Sequence, residues 1–208
     1  MAEKLQERAE ILVPRRVGYD VDDTLVWRDE IARFLGRLKS QKIHKLSLAD
    51  LPILDHTPVN KGGVEPVQYF FQKGRGAIPG ALDLVTFRHA SGDEQFAITG
   101  RPATTQWHDA TVAQLQREGF PIPKDRVVLT PLGIKTYMSK AVAIRDLKIE
   151  EYSDDDLRAI LINAFIHPEV TFNWIQHSKP NTNVNEVVLA ARSNVRVRPI
   201  ASWARRIS

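Results

Sequence analysis

Short runs of apolar residues alternate along the chain with longer amphipathic stretches. The runs are four to seven residues long and predict β-strands at 16–19, 95–98, 126–129, 149–153 and 170–176. Apolar residues at helical spacing predict α-helices at 81–89, 104–118, 139–147 and 157–165. Because strands that alternate with helices form parallel sheets, the pattern predicts an α/β fold, a doubly wound and mostly parallel sheet with helices on both faces.

One segment interrupts this alternation, between the first strand and the first helix. Its first part holds apolar residues at helical spacing: Ile31, Phe34, Leu35 and Leu38. We therefore predict an α/β core formed by 1–26 and 74–208, with a small helical cap insertion at 27–73. The glycine-rich stretch 73–80 lacks the Gly-Lys-Ser/Thr ending of a nucleotide-binding loop, so we interpret it as the hinge that returns from the insertion.

The composition is that of a globular protein whose chemistry does not involve thiols. The 208 residues are 43% hydrophobic and 26% charged, with a formal net charge of +4 and no cysteine. The absence of cysteine excludes disulfides, thiolate metal sites and a cysteine nucleophile. No stretch approaches the ~20 uninterrupted apolar residues of a membrane span, and residues 1–16 mix acids and bases too freely for a signal peptide. We therefore expect a cytoplasmic protein with no membrane partner.

The first predicted strand runs directly into acidic residues, since 17–25 reads VGYDVDDTL. In an extended chain residues i and i+2 point the same way, so Asp20 and Asp22 are expected to converge at the carboxyl edge of the sheet, where open α/β folds bind ligands. Two carboxylates in one place need a counter-charge, which Mg²⁺ would supply. A calcium-binding EF-hand is excluded, because it requires glycine and glutamate where this chain has Leu25 and Ile31.

The segment Asp20-Val21-Asp22-Asp23-Thr24 resembles the opening motif of the haloacid dehalogenase-like hydrolases, an apolar strand followed by Asp-x-Asp-x-Thr or Val. The resemblance implies that Asp20 attacks phosphorus to form an aspartyl-phosphate. It also implies that Asp22 protonates the leaving oxygen and later activates water. A carboxylate suits the first role, because it is ionised at pH 7 without an activating base.

A second segment, QFAITGRP at 95–102, is similar to the second motif of that family, in which an apolar strand closes on Ser or Thr. The Thr99 hydroxyl and the backbone N–H groups of the following turn would bind phosphate oxygens. Gly100 and Arg101 match the Thr-Gly-Arg-Pro form of this turn. The resemblance therefore implies that Thr99, Gly100 and Arg101 bind the phosphate or the substrate. For Arg101, a plain surface turn is the alternative interpretation.

The family's third motif is a lysine near the start of a helix, which neutralises the nucleophile and the phosphoryl group. Two lysines of this sequence are candidates, Lys135 and Lys140. We favour Lys140, because Ser139 is a plausible helix cap and would place Lys140 in the first helical turn, facing the edge of the sheet.

The fourth motif of the family is a pair of acids at a strand end, which coordinate magnesium. Asp154 and Asp155 match it, and Asp156 serves better as the first residue of the next helix. The resemblance implies a Mg²⁺ site formed by Asp20, Asp22, Asp154 and Asp155, although the register of the three consecutive aspartates stays open. Glu150 and Glu151 precede the pair, so we expect this strand to be short or exposed at an edge.

Together the four segments imply a magnesium-dependent phosphohydrolase that cleaves a small phosphomonoester through an aspartyl-phosphate. The insertion and the Ile78-Pro79-Gly80-Ala81 segment are similar to 5′(3′)-deoxyribonucleotidase-type members, which makes a nucleotide the first expectation for the substrate.

Two rival functions stay open. A nucleic-acid end-processing phosphatase or nucleic-acid-binding protein could use the C-terminus, where no acid follows position 186 and five arginines surround Trp203: Arg192, Arg196, Arg198, Arg205 and Arg206. A catalytically silent scaffold of the same family is the other, and the intact acids argue against it. Trp174 and His177, near the last predicted strand, are interpreted as structural.

Overall fold

The computed structural model describes residues 14–27, 76–177 and 193–199. Apart from Trp27, the predicted insertion lies outside the described residues, as do Arg192, Trp203, Arg205 and Arg206. The described strands are β1 (Arg16–Tyr19), β2 (Glu94–Pro102), β3 (Val127–Thr130), β4 (Glu151–Asp154), β5 (Thr171–Gln176) and β6 (Val195–Pro199). The described α-helices are α1 (Ala81–Ala90), α2 (Thr105–Arg117), α3 (Thr136–Asp146) and α4 (Leu157–Ile166).

These six strands form one sheet in the order β3-β2-β1-β4-β5-β6, and every neighbouring pair is parallel. The doubly wound α/β fold is thereby confirmed. From β1 the chain first builds outward through β2 and β3, and then returns to place β4 on the other side of β1. The order of the strands reverses at β1, and open α/β sheets bind their ligands at the carboxyl edge of such a switch point.

The helices cover both faces of the sheet, because successive strand residues point to opposite faces. On one face Val17 and Tyr19 of β1 pack with Val85 of α1 and Leu115 of α2. The opposite face has its own apolar cluster, with members from four elements: Ile98 of β2, Ile144 of α3, Tyr152 of β4 and Ile160 of α4. Helices α1 and α2 therefore lie on one side, and α3 and α4 on the other. None of the helices in the described ranges is long and apolar enough to cross a membrane.

Two details differ from the sequence-based expectations at the edge where the site forms. Helix α3 begins at Thr136 with Lys135 as its N-cap residue, so Ser139 is not the cap and Lys140 lies one turn further into the helix than expected. Strand β2 continues to Pro102, four residues beyond the predicted end, with a shift of register after Thr99.

Of the two alternatives expected for the fourth strand, a short strand is confirmed and an edge-exposed strand is wrong. Strand β4 is short, but it lies between β1 and β5, and Glu151 is buried. Its carboxylate accepts hydrogen bonds from Arg88 (2.8 Å), Asn173 (2.8 Å) and Arg15 (3.0 Å). Burial raises the pKa of Glu151, but Arg88 and its other partners outweigh burial and hold the pKa below its ordinary value. A glutamate is tolerated in a central strand here because two arginines neutralise it.

Replacing Gly18 by alanine tests the close packing of β1 against β4. A Cβ atom at Gly18 would lie 2.8 Å from Cδ2 of Tyr152, whose ring is fully buried and cannot move aside freely. We expect Gly18→Ala to lower the free energy of unfolding by about 1–3 kcal/mol, as overpacking of a core does. Gly76→Ala is the control, because its Cβ would meet nothing closer than 3.9 Å. Urea unfolding measures both, and equal stability of the two variants would contradict the packing described.

Candidate active site

The site begins where β1 ends at the carboxyl edge of the sheet. Asp20 is the first residue after the strand, and its backbone N–H donates to the Ser153 carbonyl of β4 at 2.8 Å. The chain then turns, with Val26 N–H donating to the Val21 carbonyl and Asp23 at a φ of 61°. The interpretation of Asp20 and Asp22 as parts of one extended strand is therefore wrong, because Asp22 belongs to this turn.

Three carboxylates meet at this edge of the sheet. Asp20, Asp154 and Asp155 each offer one oxygen, and the three oxygens lie within 4.8 Å of one another. Asp20 and Asp154 are buried, whereas Asp155 is half-buried. The strand order brings them together, because Asp20 follows β1 and Asp154 ends the adjacent β4. The carboxylate of Asp22 does not belong to this group.

Lys140 of α3 neutralises the two buried carboxylates. Its Nζ lies 2.6 Å from Oδ2 of Asp154 and 3.0 Å from Oδ1 of Asp20. Burial lowers the pKa of Lys140, but the charges of Asp154 and Asp20 outweigh burial and raise the pKa well above its ordinary value. Lys140 is therefore the lysine that the fold brings to the acids, while Lys135 occupies the N-cap position of α3 without a capping hydrogen bond from its side chain.

Asp20 has a strongly shifted proton affinity in this environment. Burial raises the pKa of Asp20 to about 7, and the charges of Asp154 and Asp22 act in the same direction. The Lys140 ammonium opposes these effects and lowers the pKa. A buried carboxyl with such a shift is a marker of functional sites.

Tyr152, which lies beside Asp154 and Lys140, was not predicted from the sequence. Its hydroxyl lies 3.0 Å from the carbonyl oxygen of Ile98 and 3.2 Å from Oδ2 of Asp154. The ammonium of Lys140 lies 6.0 Å from the centre of its ring. The signal was available, because residues two apart in a strand share a face and Tyr152 precedes Asp154 by two.

The aspartates at the end of β4 have separate tasks. Asp156 is the N-cap of α4, and its side chain accepts from Arg158 N–H, which confirms its predicted place at the start of that helix. The Asp156 N–H in turn donates to Oδ1 of Asp154 at 2.9 Å. Trp174 of β5 donates its indole N–H to the Asp155 carbonyl at 3.1 Å, in keeping with a structural role.

The second motif forms the irregular end of β2, beside the acids. Thr99 is buried, and its Oγ1 lies 3.4 Å from the Arg101 backbone N–H. A Cβ at Gly100 would lie 2.8 Å from Cγ2 of Thr136, so glycine allows α3 to begin close to this end of β2. Arg101 does not lie on the surface, since its side chain is 4% exposed and donates to Asp22. The phosphate contacts expected of Thr99, Gly100 and Arg101 stay predictions.

The described residues at the start of the predicted insertion and those just after its end lie side by side near this edge. Val26 pairs with Ala77 in an antiparallel bridge, and the Trp27 N–H donates to the Gly76 carbonyl at 3.2 Å. His177 contacts both the turn and the start of the insertion, through the Asp23 carbonyl and the ring of Trp27, whose centroid is 5.6 Å away. These contacts agree with the structural role expected of His177.

The acidic group fits a magnesium ion. Mg²⁺ prefers hard oxygen ligands and is bound through a few carboxylates, while it keeps part of its hydration. Asp20, Asp154 and Asp155 supply such oxygens within reach of one ion. The half-buried position of Asp155 leaves one side of the group near solvent, where waters and a substrate oxygen could complete the coordination.

Comparison with solved structures shows that the fold is similar to that of two proteins named as haloacid dehalogenase-like hydrolases. No family model and no curated protein sequence matches the chain. A solved structure assigned as a haloacid dehalogenase-like hydrolase from Bacteroides fragilis matches with a TM-score of 0.55, at 12% identity over 91% of this chain and 99% of that chain. A haloacid dehalogenase-like family hydrolase from Xanthomonas campestris matches with a TM-score of 0.50, at 13% identity over 93% and 90%.

The likeness to a class C acid phosphatase from Bacillus anthracis is looser, with a TM-score of 0.45 at 18% identity. It covers 76% of this chain, which spans only 59% of the length of that protein. At such low identities the comparisons show the fold alone. The activity has to be argued from the residues of this chain.

Neutralising Asp20 should change how the stability of the metal-free protein depends on pH. Its pKa rises from 3.8 to about 7 on folding, so the folded state holds this proton more tightly than the unfolded state. The resulting stabilisation is complete below about pH 4 and is lost as the pH rises through about 7. At 1.36 kcal/mol per pKa unit, the loss is at most on the order of 4 kcal/mol.

We expect Asp20→Asn to lack this loss. Urea unfolding of both proteins in a chelating buffer, at several pH values from about 4 to 8, measures the difference between them. Relative to that of the wild-type protein, the free energy of unfolding of Asp20→Asn should increase as the pH rises. Parallel pH profiles of the two proteins would contradict the raised pKa of Asp20.

Proposed function

We propose that this protein is a magnesium-dependent phosphohydrolase that cleaves phosphomonoesters through an aspartyl-phosphate on Asp20. The observation that carries the proposal is the placement of Lys140 between Asp20 and Asp154, with Asp155 beside them. At the switch point of the sheet, the buried Lys140 ammonium pairs with two carboxylates, and a third carboxylate lies beside them. Such an arrangement suits the transfer of a dianionic phosphoryl group. A silent scaffold would have no need of this costly arrangement.

The chain's own residues account for the two steps of the reaction. In the first, an oxygen of Asp20 forms a bond to phosphorus as the bond from phosphorus to the leaving oxygen breaks, and Asp22 gives that oxygen a proton. In the second, Asp22 takes a proton from water, the water oxygen bonds to phosphorus, and the acyl phosphate bond breaks to release phosphate and Asp20. Lys140 balances the negative charge near Asp20 throughout.

A magnesium ion bound by Asp20, Asp154, Asp155 and the backbone carbonyl of Asp22 would supply further charge neutralisation at the phosphate. The Thr99 hydroxyl and the N–H groups of the turn that follows it would bind phosphate oxygens. For the substrate we propose a small phosphomonoester, with a nucleotide as the first compound to test. The cytoplasmic location stays a prediction.

Asp20→Asn should abolish turnover without unfolding the protein. The amide is nearly isosteric with the carboxylate but is not a nucleophile, so we expect the rate to fall by about 10³-fold or more. Hydrolysis of a panel of phosphomonoesters with Mg²⁺ present measures the loss. Asp125→Asn is the control, because Asp125 is an exposed aspartate of a short 3₁₀ turn remote from the acids. A variant that keeps more than about a tenth of the rate would show that the chemistry lies elsewhere.

Magnesium affinity should separate the three consecutive aspartates. Asp155→Asn removes an oxygen from the acidic group, whereas Asp156→Asn changes only the cap of α4. We expect the half-activating concentration of Mg²⁺ to rise by about tenfold or more for Asp155→Asn, and to change little for Asp156→Asn. Calorimetric titration of Mg²⁺ gives the same comparison without relying on turnover. If Asp156→Asn is the more sensitive variant, the assignment of the metal ligands is wrong.

A further inference from the structure

The two carboxylates of the first motif are held by cations from opposite sides of the sheet. Lys140 reaches Asp20 from α3, which lies on one face. Arg101 reaches Asp22 from β2 and is itself held by α2, on the other face. Because the two acids have different partners, their side chains are oriented independently of each other.

The Arg101 guanidinium makes a bidentate contact with the Asp22 carboxylate. Its Nε donates to Oδ2 of Asp22 and its Nη2 donates to Oδ1, both at 2.9 Å. A planar guanidinium that meets both oxygens of a carboxylate fixes the rotation of that group as well as its distance. The Asp22 side chain is 19% exposed and that of Arg101 only 4%, so the carboxylate lies on the solvent side of the pair.

Two side chains of α2 accept hydrogen bonds from the Arg101 guanidinium and hold it in place. Nη1 donates to Oγ1 of Thr111 at 2.9 Å, and Nη2 donates to Oε1 of Gln114 at 2.8 Å. The Thr111 hydroxyl donates in turn to the Trp107 carbonyl at 2.8 Å, which leaves its lone pairs to face Arg101. Four of the five N–H donors of Arg101 are thus engaged by described residues.

A bulge in β2 brings Arg101 to this position. Thr99 pairs with Leu129 and Pro102 pairs with Thr130, so Gly100 and Arg101 are left out of the pairing with β3. Bulges of this kind redirect side chains beside active sites. Within the bulge the Arg101 backbone N–H donates to the Thr99 hydroxyl at 3.4 Å, while the guanidinium extends toward α2 and Asp22.

We propose that Arg101 is a positioning residue, which orients the Asp22 carboxyl toward the leaving oxygen of the substrate. The inference rests on the proposed function and deepens it. It assigns to Arg101 a task different from the phosphate contact expected from the sequence, because four of its donors are committed within the protein. Loss of Arg101 should therefore harm departure of the leaving group more than binding of the phosphate.

Leaving groups of different basicity test this assignment. An alkyl phosphate such as glycerol phosphate needs a proton on its departing oxygen, whereas the nitrophenolate of p-nitrophenyl phosphate departs with little help. We expect Arg101→Lys, which keeps the charge but loses the bidentate contact, to lower kcat/KM on the alkyl phosphate by about 10²-fold, because kcat/KM reports the departure of the leaving group and not the later hydrolysis of the aspartyl-phosphate. On the aryl phosphate the loss of kcat/KM should stay below about tenfold. Asp22→Asn should show the same selectivity.

Two further measurements separate positioning from a general loss of structure. In Arg101→Ala, added millimolar guanidinium should restore turnover of the alkyl phosphate in part. Gln114→Leu removes one support of the guanidinium and should show the same selectivity in milder form. Arg117→Ala is the control on α2, because this exposed arginine pairs only with the adjacent Glu118 among the described residues and should behave as wild type. Thermal unfolding of every variant accompanies the kinetics.

Three results would overturn the assignment. A rise in KM equal for both substrates would make Arg101 a phosphate contact. Equal losses of kcat/KM on both substrates, in step with a lowered melting temperature and without rescue by guanidinium, would make it merely structural. A wild-type protein without phosphatase activity, or an active Asp20→Asn variant, would refute the proposed function itself and the role of Arg101 with it. Wild-type turnover that depends on Asp20 but shows no selectivity in Arg101→Lys would refute the role of Arg101 alone.

Discussion

The contact of Lys140 with Asp20 and Asp154 is the interaction on which the site depends. Without the ammonium, two buried carboxylates of adjacent strands would face each other with no partner of opposite charge among the described side chains nearby, at a cost of several kcal/mol. With it, the pair can be kept at the carboxyl edge of the sheet, close enough to share a metal ion or a phosphoryl group. Tyr152 and the N–H of Asp156 complete the hydrogen bonding of Asp154 and make its orientation specific.

The doubly wound sheet makes this arrangement possible because it gives the site two independent layers of support. Helix α3 delivers Lys140 from one face, and α2 braces Arg101 from the other. Strand β1 lies between both layers, so the acids that follow it are reached from each side.

Charge is also buried at the other end of the sheet, where it has a structural consequence. Glu151 begins the central strand β4 and is neutralised by Arg88 and Arg15, with Asn173 as a further donor. Read along the chain, two adjacent glutamates suggest an exposed strand, since a lone glutamate is rarely buried. Arg88 lies in α1 and Arg15 lies before β1, both far from Glu151 in the sequence. The residues next to Glu151 therefore do not indicate that its charge can be neutralised and buried.

The chain by itself determined the alternation of strands and helices and the order of its polar clusters. Apolar periodicity is local. Asp20 follows β1, Asp154 ends β4, Thr99 lies near the end of β2 and Lys140 lies in the second turn of α3, and these places meet at one edge of a parallel sheet. Only the tertiary structure decided the partners of Asp22, Arg101 and Tyr152. The turn after Asp20 and the bulge after Thr99 rotate side chains away from the strand alternation that sequence reasoning assumes. Packing against α2 and α3 then selects which cation meets which carboxylate, because those contacts join residues far apart in the chain.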